Sequence, residues 1–70
     1  MSETWQTGTI KFFDDARGYG FIRMPDGEDC FVHARALPEG LDYLHKGTEV
    51  EFVIGHDRQG RSRATRVRLA

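Results

Sequence analysis

A single cysteine, Cys30, in a chain of 70 residues excludes an internal disulfide framework. No apolar run approaches membrane-spanning length, and no N-terminal stretch reads as a signal peptide. With the lone thiol, this points to a cytoplasmic protein with no membrane partner. Net charge is also missing. Ten Lys and Arg against eleven Asp and Glu leave a formal charge of −1 and a pI near 6.3. The strongly basic balance that often marks a nucleic-acid-binding protein is therefore absent. The charge is uneven, however: Arg58, Arg61, Arg63, Arg66 and Arg68 crowd the C-terminal part, while most acidic residues lie before Asp57. Net charge thus neither supports nor excludes an anionic partner. His33, His45 and His56 show no metal-ligand spacing with Cys30. Gly18-x-Gly20 lacks the third glycine and following helix of a dinucleotide fingerprint. No nucleophile–base pair stands out, so neither an enzyme nor a cofactor is expected. No run has convincing helical period, and there is no internal repeat, low-complexity tract or second domain. The chain reads as one small domain, with its core over about residues 7–69.

What the sequence does hold is a surplus of rings on one hairpin. Arg17-Gly18-Tyr19-Gly20-Phe21-Ile22 is answered by Asp29-Cys30-Phe31-Val32-His33. Side chains alternate across a strand, so Tyr19, Phe21, Phe31 and His33 share one face. Gly20, Ile22, Cys30 and Val32 share the other, where small and branched residues suit a core. Between the runs, Met24-Pro25-Asp26-Gly27 is a turn signal: proline presets φ and glycine accepts positive φ. Rings on the face turned away from such a core exceed what packing needs.

The remaining segments also read as strands. Thr7–Phe13 has strand composition, and Met1–Gln6, polar apart from Trp5, reads as a loose lead-in or as the start of that first strand. Its Ile10-Lys11-Phe12-Phe13 does not alternate cleanly, which predicts a bulge or strong curvature. Phe12 and Phe13 cannot be equally exposed; Phe12 is expected outside and Phe13 partly packed at the edge. Ala34–Lys46 is irregular, with Leu41, Tyr43 and Leu44 fastening it to the body of the fold. After Gly47, Val50, Phe52 and Ile54 alternate with Glu49, Glu51 and Val53, giving a fourth strand with a core face. His56–Gly60 is a turn. Arg61–Leu69 is a fifth strand, with Val67 and Leu69 expected inside. Its arginines read either as a solvated edge that deters pairing or as an accessory phosphate-binding stripe. Five short strands without helices predict an all-β fold, a five-stranded antiparallel barrel.

Gly8-Thr9-Ile10-Lys11-Phe12-Phe13, Arg17–Ile22, Asp29–Ala34 and Gly47-Thr48-Glu49-Val50-Glu51-Phe52 together resemble the cold-shock domain, the second block its RNP1 motif and the third its RNP2 motif. The likeness spans about Thr7 to Leu69. It implies an OB-type barrel that binds single-stranded RNA or DNA, pyrimidine-rich by family preference, as an RNA chaperone or a regulator of transcription and translation. By position it implies a binding face of Lys11, Phe12, Tyr19, Phe21, Phe31 and His33, with Arg17 and Arg58 reaching phosphates. A monomer is expected, a strand-swapped dimer being the alternative.

Some positions depart from the family pattern. Phe12 stands for a usual tryptophan, Tyr19 for a phenylalanine and Arg17 for a lysine, which keeps the chemistry. Asp14 adds an anion where asparagine is common. Ala34 replaces an aromatic, and the loop aromatic usual near Leu41 is absent, with Tyr43 as its candidate substitute. Weaker binding, or a shorter site, is expected in consequence. The competing reading is a small barrel whose exposed aromatics form a protein–protein hot spot.

Overall fold

The computed structural model describes residues 4–70. The alternating segments form five strands: β1 (Gln6–Asp14), β2 (Tyr19–Arg23), β3 (Asp29–His33), β4 (Glu49–His56) and β5 (Ser62–Leu69). They close into a barrel in the order β1-β2-β3-β5-β4. The expected all-β barrel is observed. Four of its seams are antiparallel, while β3 and β5 meet in a short parallel seam, Phe31 opposite Arg63 and Val32 opposite Ala64. Closure removes every open edge, so β5 is not the edge strand that its arginines suggested.

The core is the inward set of the alternation. Ile10, Ile22, Cys30, Val32, Val50 and Phe52 are wholly buried, and Leu37 and Leu44 from the long connection join them. Leu41 and Tyr43 pack against this cluster, as expected of the residues that fasten the loop. Phe13 lies deeper than its expected place at the edge, as a member of the buried cluster. A single 3-10 turn, Ala34–Ala36, follows β3.

Two bulges reset the alternation. In β1 the pairing with β2 shifts between Ile10 and Phe12, so Lys11 is the extra residue. Ile10 and Phe13 point inward while Lys11 and Phe12, consecutive, both face out. In β5 the pairing with β4 shifts between Val53 and Ile54, which leaves Thr65 as the extra residue opposite them. The inward positions of β5 are therefore Ala64 and Val67, three apart, and Leu69 is 55% exposed rather than internal. Leu69 keeps the inward phase of Val67 but is the last residue of β5 and lies beyond the buried cluster.

Glycine is required at the crossing of β1 and β2. A Cβ on Gly20 would stand 2.8 Å from the Phe13 Cα and closer still to the Phe12 carbonyl oxygen. Only a residue without a side chain lets β2 approach β1 this closely. The hairpin turn forms as expected, with the Gly27 N–H donating to the Met24 carbonyl at 2.9 Å and Gly27 at φ 91°.

Candidate functional site

The register of β1, β2 and β3 assembles the rings. Phe12 pairs with Phe21, and Phe21 with Phe31, so three phenylalanines stand in one row across three strands. Tyr19 lies in the next row, between Asp14 and His33. Ring centroids are 5.6 Å apart for Phe12–Phe21, 5.9 Å for Phe21–Phe31 and 5.8 Å for Tyr19–Phe31, the last pair nearly parallel at 24°. Phe12 also meets Tyr19 edge-on at 6.2 Å. The four rings form one continuous surface. None belongs to the buried cluster: Phe12 is 40% exposed and the other three are half-buried. The β1 bulge makes this possible, because it turns Phe12 outward while Phe13 stays in the core.

His33 stands exposed at the end of the second row. Its Nδ1 accepts a hydrogen bond from the Arg35 N–H at 3.1 Å, capping the 3-10 turn. In the neutral ring the proton therefore sits on Nε2, which leaves a donor directed away from the turn.

The cations are less free than their spacing suggested. The Lys11 ammonium contacts the Asp29 carboxylate at 2.8 Å, and Arg23 approaches the same group at 4.0 Å. Asp14 is occupied locally: its carboxylate accepts from the Arg17 N–H at 3.1 Å and lies 3.8 Å from the Arg17 guanidinium. The anion expected to oppose a ligand is thus partly balanced by the neighbour that ends the same turn. Arg58 is exposed in the β4–β5 turn and does not line the groove beside the rings. Asp57, Arg61 and Arg63 line it instead, against Phe21 and Phe31. Asp57 orders this turn by accepting from the N–H groups of Gln59 and Arg61, each at 2.9 Å, and from the Arg61 guanidinium at 2.8 Å. The Arg61 N–H, foremost among these, holds the Asp57 carboxyl below its ordinary range.

Tyr43 does not replace a missing ring of the platform. It packs edge-on against Phe13 at 5.8 Å and His45 at 4.9 Å. Ala34 is half-buried, packed against the core. Cys30 is wholly buried, as expected of a small core hydrophobe, and burial pushes its thiol up to about 11. Arg63 beside Phe31 is the site residue that sequence reasoning singled out least. It stood only among a stripe of arginines, because the parallel seam that places it has no local signal.

Residues 6–70 match the family described as the 'Cold-shock' DNA-binding domain. The chain belongs to the cold-shock domain family. Its relatives include cold shock protein CspB of Bacillus caldolyticus, 42% identical over 91% of this chain and 98% of the relative. The major cold shock protein CspA of Pseudomonas aeruginosa is 43% identical over 79% of this chain and 81% of its own length. Cold shock-like protein CspLB of Listeria monocytogenes is 45% identical over 79% and 85% respectively. Cold-shock domain proteins bind nucleic acids and are not enzymes. Three rings of the surface aromatic cluster of this member lie on the strands that carry the two motifs, and Phe12 joins them from β1.

Proposed function

We propose that this protein binds single-stranded RNA or DNA by stacking unpaired bases on Phe12, Tyr19, Phe21 and Phe31, and acts as an RNA chaperone or a regulator of transcription and translation. The observation that carries this reading is the row of phenylalanines that the core does not use, held half-open on one face of the barrel. Each stacked base contributes roughly 1–3 kcal/mol as measured by alanine substitution, and every base has a π-face, so recognition tolerates sequence. His33 adds a stacking plane and its Nε2–H donor, which suits the carbonyl oxygens of pyrimidines. Lys11, Arg17 and Arg58 contact phosphates at the rim. Because Lys11 and Arg17 already face carboxylates, a short strand displaces few counterions. Its affinity falls with a log–log salt slope no steeper than about −2, corresponding to at most about three phosphate contacts.

The test is fluorescence anisotropy of a short, labelled, pyrimidine-rich strand titrated with the protein, against the same sequence as duplex. Saturable binding of the single strand with weak binding of the duplex supports the reading, since paired bases cannot reach the rings. Absence of binding at low salt refutes it and leaves the protein–protein surface as the explanation for the exposed rings.

A further inference from the structure

The outer face of β5 carries groups that the ring platform does not use. Arg63 lies opposite Phe31 across the parallel seam, and Arg35 projects from the 3-10 turn beyond His33. Among the described residues, neither side chain has a carboxylate partner. A groove bordered by Phe31, His33, Arg35 and Arg63 leads off the platform over Ala36 and Thr65. A second groove shares Arg35, Ala36 and Thr65 with the first and continues to Trp5, Arg66 and Arg68. The two are one track around the barrel.

The bulge at Thr65 creates the far half of this track. Without the extra residue, Arg66 and Arg68 would follow Ala64 toward the core; with it, Val67 turns inward and both arginines turn out. At the end stands Trp5, absent from the core cluster and half-buried. The Arg68 guanidinium lies 3.8 Å from the indole centroid and that of Arg66 5.5 Å from it, cation–π contacts that hold the ring in place. Arg68 is fixed in turn by Glu51 at 2.8 Å. An aromatic ring set among arginines in a groove continuous with a stacking platform has the composition of a single-strand path.

We propose that this track carries the continuation of the bound single strand, its phosphates passing Arg63 and Arg35 and a further base stacking at Trp5. The proposal rests on the binding function proposed above.

Trp5 is the only tryptophan, so its emission reports on this end of the track alone. The full chain is titrated with single strands of about six and about twelve nucleotides, within the range of sites that one OB fold covers. Both bind, and only the longer changes Trp5 emission. Trp5→Leu weakens the longer strand by at least about fivefold, the low end for one stacked base. Arg35→Gln weakens it and makes its log–log salt slope shallower by about 0.7, as loss of one phosphate contact does. Both leave the shorter strand unchanged. Arg35 is exposed, so its variant keeps the fold even if Trp5→Leu does not. Binding of both strands with unchanged Trp5 emission, or parental affinity of the folded Arg35→Gln variant for the longer strand, overturns the track and spares the platform. Absence of binding by either strand refutes the platform and the track together.

Discussion

Replacing Phe31 by leucine separates stacking from simple apolar contact. Phe31 is central: it lies opposite Phe21 on one side and Arg63 on the other, and meets the rings of Tyr19 and Phe21 at 5.8 and 5.9 Å. Phe31→Ala removes two ring contacts worth about 0.5–1.5 kcal/mol each. It also removes a stacked base worth about 1–3 kcal/mol. Losses of stability and of affinity are then of similar size, and a weak binder could be a poorly folded one. Leucine retains most of the apolar volume without the flat face. Phe31→Leu still loses the two ring pairs, about 1–3 kcal/mol together, but keeps most of the apolar burial, so it is expected to cost less stability than Phe31→Ala. Its affinity for a short pyrimidine-rich strand is expected to fall at least about fivefold, the lower bound for one lost base stack. Anisotropy gives the affinity, and urea unfolding of the same preparation gives the stability. A folded Phe31→Leu protein that binds like the parent would refute base stacking on this surface.

Three other perturbations test the surrounding structure. Gly20→Ala is expected to destabilise by about 1–3 kcal/mol or more, as overpacked sites do, because its Cβ meets the backbone of Phe12 and Phe13; the urea midpoint measures this, and an unchanged midpoint would contradict the close approach of β2 to β1. Asp29→Asn frees Lys11 and Arg23 from their shared carboxylate while costing under about 1 kcal/mol, as exposed ion pairs do. Single-strand binding should tighten, and the salt slope should steepen by about 0.7 for each cation that gains a phosphate; an unchanged slope would show that neither cation reaches the strand. Cys30 should resist thiol reagents at neutral pH unless the barrel opens, since it is wholly buried. Its thiol is pushed from 9.0 up to about 11 by burial, so the unfolded chain loses this proton first. Stability from this group is full below pH 9 and falls as pH rises from 9 toward about 11; urea unfolding against Cys30→Ala should show that extra alkaline loss, and parallel pH profiles would argue against it.

Alternation made the hairpin of Tyr19–Arg23 and Asp29–His33 legible, because the side-chain period of a strand is a local property. The break in that period at Ile10-Lys11-Phe12-Phe13 likewise exposed the first bulge before any pairing was known. The second bulge left no such mark. In Arg61–Leu69 apolar residues are sparse, so nothing local says that Thr65 is the extra residue and that Ala64, out of phase with Val67, faces inward. Leu69 read as internal because it shares the phase of Val67, yet it ends the strand and is exposed. Tyr43 could be tied to the loop's anchoring but not to its partner, since Phe13 lies on a distant strand.

The sequence by itself determined the strands, the inward sets of the second, third and fourth, and the excess of rings that marks the candidate site. It did so because those features depend on the order of side chains along a few residues. Only the tertiary structure decided that Lys11 faces Asp29, that Arg63 borders Phe31 through a parallel seam, and that Arg68 covers Trp5. Each of those depends on which strands become neighbours when the barrel closes and on the register imposed by its bulges, and both are set by packing around one shared core.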